Sequence, residues 1–352
     1  MKDSNYKLKV GITIGDVNGI GPELIIKAFQ DTRLKELCIP IVYGSSRVLN
    51  IYRKILRINK FHYQIIQKAD QGHFNKLNII ECLDNVDKVE IGQPSELGGL
   101  AAQSALKRAI EDAQHQVIDA LVTLPVDKAV MPAGETKFVG HTEMLAHAFN
   151  VRENLMLMVS DEMRVGVVTN HVSIRDVPNK ITKEKIIQKT TILHQTLVED
   201  FNIQKPLIAI LGLNPHGGDK GLIGKEEIEV ITPAIEELKN QGMMVMGPYP
   251  PDGFFGSFTF KKFDGIIAMY HDQGLIPFKL LAGYGGVNYT AGMPFIRTSP
   301  DHGVAYDIAG KGIADAESLR RSLYLTMDIH RNRTMNIELK SNALKTSELQ
   351  RE

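Results

Sequence analysis

Short apolar runs alternate with longer amphipathic stretches along the whole chain. Residues 8–14 (LKVGITI) contain too few polar positions for a half-exposed strand, which predicts a strand covered on both faces. Comparable runs predict strands at 39–43, 118–123, 164–169 (RVGVVT), 206–213 (PLIAILGL) and 264–269 (DGIIAM). Amphipathic spacing predicts helices at 23–30, 46–56, 99–114, 182–200 and 225–241. Pro22 stands at the start of the first, where a missing N–H is tolerated. This β-α-β-α rhythm predicts an α/β architecture with largely parallel, doubly covered sheets.

Length turns that rhythm into a domain count. The chain has 352 residues, enough for two domains of roughly 100–200 residues each. No low-complexity linker or internal repeat marks a boundary. The expected crossovers are 132–140 and the Gly/Pro-rich stretch 283–300. The expected division is a discontinuous first domain, 1–135 plus 298–352, and a second, 136–297, with most of the site residues. Beyond about 332 the chain is polar and of mixed charge, which predicts a helical extension or a loose tail without a catalytic role.

Charge excludes some partners. The 41 basic and 41 acidic side chains balance, whereas chains that coat nucleic acid or anionic membrane carry a basic excess. No apolar run approaches the roughly 18 residues that span a bilayer, and the N-terminus has no apolar signal core. Cys38 and Cys82 lie in apolar surroundings without CxxC spacing, which predicts two buried, reduced thiols. The expectation is a cytoplasmic protein that meets neither membrane nor nucleic acid.

The chemistry concentrates at strand ends. His171, His216 and His271 each follow a predicted buried strand at its C-terminal end, where α/β sheets bind ligands. One such histidine is more often a loop or capping residue. Three in the same position point to a shared site for Zn²⁺, Co²⁺ or Ni²⁺, with positions open for substrate or water. His141 and Thr142 start a predicted helix, whose free N–H groups suit an anion; a plain N-cap by Thr142 is the equal alternative. Lys279, Asn288 and Arg297 lie in or beside a glycine-rich segment and suggest a small anionic substrate. The loop GDVNGIGPE after the first strand has neither the dinucleotide fingerprint nor a P-loop lysine, so it reads as a tight strand-to-helix turn.

Several dense segments together carry a specific resemblance: GDVNGIGPE, TLPVDKAV, FVGHTE, TNHVSIRDVP, LGLNPHGGDKGLIGKEE, PPDGFF, MYHDQGLIPFKLL and GGVNYTAGMPFIRTSPDHGVAYDIAGKGIAD. In order, from about residue 8 to about 330, they resemble the 4-hydroxythreonine-4-phosphate dehydrogenase family of pyridoxal 5′-phosphate biosynthesis. The resemblance implies a two-domain α/β/α subunit similar to isocitrate and isopropylmalate dehydrogenases, with the active site in the interdomain cleft. It also implies a homodimer with that site at the subunit interface, a nicotinamide (NAD or NADP), and one divalent metal per site (Zn, Co or Mg). The family's metal ligands fall on His171, His216 and His271. Its substrate contacts fall on His141, Thr142, Lys279, Asn288 and Arg297.

The implied reaction is oxidation of the C3 hydroxyl of 4-phosphooxy-L-threonine. The resulting β-keto acid, 2-amino-3-oxo-4-phosphooxybutanoate, loses CO₂ to give 3-amino-2-oxopropyl phosphate. Lys279, Asp252 and Asp272 are the candidates for proton handling, Asp272 also for orienting its metal-ligand neighbour. His302 is expected to be structural or cofactor-adjacent. Val17 and Asn18 depart from the family's usual Pro-Ala pair, and TLPVDKAV also differs in detail from commoner forms. Related dehydrogenases of D-threonate or D-erythronate 4-phosphate are the alternative within the fold. A metal-dependent hydrolase or isomerase, or a non-catalytic binder, is the alternative outside it.

Overall fold

Strands buried on both faces need helices on both sides, and that is how the chain folds in a computed structural model. The structure describes residues 6–83, 86, 88–131 and 140–341. Twelve strands are described: β1 (Lys9–Thr13), β2 (Ile39–Gly44), β3 (Tyr63–Ile66), β4 (Leu77–Glu81), β5 (Ala120–Thr123), β6 (Leu155–Val159), β7 (Arg164–Thr169), β8 (Leu207–Leu211), β9 (Met244–Tyr249), β10 (Gly265–Tyr270), β11 (Val287–Ala291) and β12 (Ile296–Pro300). They form one sheet in the order β3-β4-β2-β1-β5-β12-β11-β6-β7-β10-β8-β9. Pairing is parallel except at β12–β11, β11–β6 and β6–β7, so the sheet turns antiparallel only near its middle.

The six apolar runs of the sequence are β1, β2, β5, β7, β8 and β10, and every residue of β2 and β5 is buried. The structure is therefore mixed α/β, with one continuous sheet. One core packs around β1, β2, β4 and β5. Two others lie on β6–β8 and β10. Helices begin as their sequences dictate: Ser45, Ser95 and Thr182 each accept a backbone N–H at an N-cap. The predicted helix at 225–241 divides into a π-helical turn, Glu227–Ile231, and an α-helix, Thr232–Asn240. Most of the 132–140 crossover lies outside the described residues.

The polar C-terminal stretch is a helix, Glu317–Ser341, packed along β12 and β11. It continues well past 332 because Arg333 is tied down. Arg333 Nε donates to Asp200 Oδ1 at 2.6 Å, and Nη2 donates to the Tyr289 hydroxyl at 3.0 Å. Tyr289 in turn donates to Asp200 Oδ2 at 2.6 Å, with Asp200 only 3% exposed. Arg333→Met leaves a buried carboxylate without its cation, so urea denaturation is expected to show a loss of about 3–5 kcal/mol. Cys38 is buried and Cys82 only partly so, against the expectation that both are buried; burial pushes both thiols up to about 12, which keeps them protonated. No described helix is long and apolar enough to cross a membrane.

Candidate functional site

Strand order places the three histidines at the ends of neighbouring strands. β7, β10 and β8 are parallel neighbours. His171, His271 and His216 therefore follow the C-terminal ends of three adjacent strands, the geometry in which α/β folds gather ligands. The rings of His171 and His271 are 5.9 Å apart between centres. Imidazole nitrogens bind zinc at about 2.0–2.1 Å, which puts two rings sharing one ion at about this spacing. Asp272 lies against the Nδ1 of His271 at 2.7 Å, which occupies that nitrogen and leaves Nε2 as the one for a ligand. A shallow cavity of about 290 Å³ opens here, lined among others by His171, Tyr270, His271 and Asp272. Burial, then Lys128 and His271, hold His171 below the usual histidine range, so it is neutral and able to ligate.

His216 occupies the exposed loop after β8, in a left-handed conformation with φ 54°. Among the described residues no three His, Cys, Asp or Glu side chains close around one point. The pair His171–His271 suits an ion, and His216 stands on the next strand's loop rather than against them. Asp252 is exposed on a short helix, Pro251–Gly256, after β9. Its neighbour Pro250 approaches the loop of His216 at Gly217.

The anion-binding half is built on the middle of the sheet. Arg297 on β12 is 4% exposed. Its Nε and Nη2 donate to Thr123 Oγ1 on β5 at 3.0 and 2.6 Å, and Nη1 donates to Thr290 Oγ1 on β11 at 3.1 Å. Its partners here are neutral hydroxyls, and burial pushes the guanidinium down to about 10 against the opposing pull of Glu143. A buried cation held this way is costly unless an anion joins it. Asn288 stands on β11 two residues before Thr290, on the same face. Among the described residues, its Oδ1 and the Oγ1 of Thr13 on β1 are buried without hydrogen-bond partners, which fits a surface awaiting a ligand.

His141 and Thr142 open the helix His141–Ala148, capped by Gly140 at φ 146° with no side-chain cap bond, so Thr142 is not a plain N-cap. Burial, then Arg297 and Lys128, push His141 down to about 3. The unfolded chain takes up a proton at this residue near pH 6.5 that the folded chain refuses, so its contribution to stability is lost as pH falls toward 3. His141→Gln is therefore expected to lose less stability than the parent between about pH 7 and about pH 5 in urea titrations.

Lys279, near the end of the helix His271–Ala282, pairs with Asp301 just past β12 at 3.2 Å. This contact joins the two ends of the polar region. Burial holds Asp301 above the usual carboxylate range despite Lys279, His302 and His271 nearby. His302 is half-buried; burial holds it below the usual histidine range, and its Nε2 has no partner among the described residues. Lys128 and Glu143 act on both His171 and the Arg297–His141 group, so the histidine edge and the anion site form one electrostatic unit.

Several of these residues escaped the sequence reading. Thr123 and Thr290 are recognisable only through strand pairing, and Asp301 only through its contact with Lys279. The first loop is tighter than its glycines suggested. Gly15 has φ +71°, and a Cβ there would lie 2.5 Å from the Pro125 carbonyl. Asp16 is buried and accepts from the Tyr306 hydroxyl at 2.7 Å. Asn18, one of the departures from the family pattern, bonds Ser95 and the Glu90 amide and is fully buried, a structural tie.

Comparison with known proteins adds to this geometry. The model of the family described as pyridoxal phosphate biosynthetic protein PdxA matches residues 36–326. A protein of Bacteroides thetaiotaomicron named 4-hydroxythreonine-4-phosphate dehydrogenase is 46% identical over 96% of this chain and 93% of its own length. A D-threonate 4-phosphate dehydrogenase of Cupriavidus necator is 40% identical over 91% of this chain and 96% of its own. The crystal structure of 4-hydroxythreonine-4-phosphate dehydrogenase from Klebsiella pneumoniae superimposes with a TM-score of 0.80 at 33% identity, covering 93% of this chain and 99% of that one. By these matches, the chain belongs to the PdxA family of pyridoxal phosphate biosynthetic proteins.

Proposed function

We propose that this protein is a dehydrogenase that oxidises 4-phosphooxy-L-threonine at C3 with NAD or NADP. The product, 2-amino-3-oxo-4-phosphooxybutanoate, decarboxylates to 3-amino-2-oxopropyl phosphate. The observation that carries this reading is Arg297, a buried cation held by neutral hydroxyls and linked through Glu143 to a pair of close imidazoles. A small dianionic substrate with a hydroxyl beside its phosphate group matches both ends.

On this reading Arg297, Asn288, His141, Thr142 and Lys279 bind the phosphate and carboxylate, Arg as a fork and Lys as a point charge. His171, His216 and His271 would hold one divalent ion, Zn, Co or Mg. Such an ion, when bound, acidifies a hydroxyl and stabilises negative charge on oxygen. The nicotinamide, when bound, accepts the hydride. Asp272 holds the His271 ring through Nδ1. Lys279 handles the proton exchanged at the reacting carbon, with Asp301 fixing the position of its Nζ. Asp252 is the other candidate for proton handling.

A homodimer with the site at its interface is part of the same proposal. The histidine-bearing edge is rich in exposed apolar side chains: Ile174 is 68% exposed, Leu222 84%, Ile276 58%, Leu280 80% and Tyr284 77%. A second copy of the chain would remove this surface from water. Cytoplasmic residence follows from the biosynthetic role. The second reading, D-threonate 4-phosphate, is favoured by the Cupriavidus relative's name and uses the same grip. Parallel kinetics on both compounds, following reduced-nicotinamide absorbance, test the choice; the first reading requires the higher kcat/KM on 4-phosphooxy-L-threonine.

A further inference from the structure

The polar side chains at the middle of the sheet share one face. Thr13 of β1 is the register partner of Thr123 of β5. Arg297 of β12 is the partner of Leu121, two residues before Thr123. Asn288 of β11 pairs with Ser299, two residues after Arg297. Register partners and second neighbours along a strand point to the same side of a sheet. Thr13, Thr123, Arg297, Ser299 and Asn288 therefore lie on one face across four adjacent strands, β1-β5-β12-β11. Thr13 and Thr123 are also the last residues of their strands, at the carboxyl ends where α/β sheets bind ligands.

Thr13 stands out in this group. It is 1% exposed, and its Oγ1 has no hydrogen-bond partner among the described residues. Beneath it on the same face, the space beside Gly11 is filled by Ile118, Tyr43 and Leu121. The Tyr43 hydroxyl is turned away to Asp112 Oδ2 at 2.7 Å. Other buried strand threonines are satisfied: Thr169 donates to the Met269 carbonyl at 2.8 Å, and Thr298 to the Ser322 carbonyl at 3.1 Å. A valine at position 13 would fill nearly the same space without burying an unpaired hydroxyl. The side open to a partner is the strand end, where Thr123 and Arg297 lie.

The groups there are donors. Arg297 commits three N–H bonds to Thr123 and Thr290, out of the five that a guanidinium offers. Thr123 Oγ1 accepts two of these bonds and keeps its own hydroxyl proton to donate. Donors gathered around a buried cation suit an anion with several acceptor oxygens. A phosphate group presents three such oxygens and a carboxylate only two.

We infer that Thr13 is a further substrate-binding residue, whose hydroxyl donates to the phosphate group gripped by Arg297. The inference deepens the proposed function and rests on the reading of Arg297 as the substrate's anion grip.

The experiment uses the full chain, with Thr13→Val, Thr13→Ser and, as a control, Thr298→Val. It measures kcat/KM on 4-phosphooxy-L-threonine and melting temperature with and without inorganic phosphate. Thr13→Val is expected to lower kcat/KM about 10–100-fold, the worth of one hydrogen bond to a charged group. It should also lose most of the rise in melting temperature that phosphate gives the parent. Without phosphate it should melt at the parent temperature or above, because no unpaired hydroxyl is buried. Thr13→Ser keeps the hydroxyl and should stay close to the parent in kcat/KM and phosphate response. Thr298→Val should give the opposite signature, a lower melting temperature with parent-like kcat/KM. Thr13→Ala serves if the valine variant does not fold. Parent-like kcat/KM and phosphate response in the folded variant without the hydroxyl overturn the inference, whatever its melting temperature. No phosphate response in the parent overturns it together with the anion-grip reading. If the parent reduces no nicotinamide, yet phosphate stabilises it and Thr13→Val abolishes that effect, the proposed activity falls and the inference stands.

Discussion

His216→Ala and His271→Ala are each expected to lose bound divalent metal and to lower turnover by at least about 10³-fold. An ion that stabilises charge on a reacting oxygen contributes several kcal/mol, and about 4 kcal/mol corresponds to 10³ in rate. His271 is held by Asp272 and lies against His171, so its removal breaks the close imidazole pair. Metal analysis beside steady-state kinetics checks the result. His147→Ala, an exposed position on the helix His141–Ala148, should change neither. Mixed dimers of two differently inactivated chains carry the test to the interface. Recovered activity supports a shared site, and its absence after demonstrated subunit exchange contradicts it.

Arg297→Met is the second large effect, and it has two opposed parts. Desolvating a guanidinium is expensive, and here hydroxyls are what the structure sets against that cost. Replacing such a buried charge with an apolar side chain of similar volume is often neutral or stabilising. The variant should therefore melt at the parent temperature or above it. Its kcat/KM should fall by about 10²–10³, because a charge-paired, desolvated grip on an anion is worth about 3–5 kcal/mol when one partner is removed. A purely structural arginine would give the reverse: lower stability and intact kcat/KM. Arg297→Lys should recover only part of the loss, since an ammonium cannot reproduce the fork between Thr123 and Thr290.

Six of the twelve described strands are legible as apolar runs, whereas the apolar β4 (LNIIE) and β6 (LMLMV) are not picked out. β1, β2, β5, β7, β8 and β10 announce themselves because both faces are covered. β11 (VNYTA) and β12 (IRTSP) do not, although they occupy the centre of the sheet. Their polar side chains, Asn288, Thr290, Arg297, Thr298 and Ser299, are mostly buried for the sake of the site and of the contacts with the helix Glu317–Ser341. Function thus erased the hydrophobic signal where the two groups of core residues meet. The edge strands β3 and β9 were missed for the opposite reason: they are partly exposed, with little apolar contrast to their flanks.

The candidate site divides in the same way. The three histidines were visible because each ends an apolar run, and strand order then made those runs neighbours. Glu227, Gln273 and Asp301 are not legible, because what distinguishes them is a contact made across 14, 61 and 22 positions of sequence respectively, to backbone for the first two and to the Lys279 ammonium for the third. A buried glutamate in KEE or a glutamine in HDQG looks like an ordinary helical residue until the chain is folded. The C-terminal helix is a similar case. Its mixed charge hid Arg333, whose partner Asp200 closes a different helix.

The central claim is that this cleft performs a metal-dependent hydride transfer from a phosphorylated hydroxy amino acid. The most direct test is a panel of 4-phosphooxy-L-threonine, D-threonate 4-phosphate and D-erythronate 4-phosphate, each with NAD⁺ and NADP⁺, on chelated and then metal-reconstituted protein. The account predicts growth of reduced-nicotinamide absorbance, greatest kcat/KM for 4-phosphooxy-L-threonine, loss of activity on chelation and recovery with Zn²⁺, Co²⁺ or Mg²⁺. No nicotinamide reduction with any of the three compounds, or full activity after complete metal removal, would contradict it.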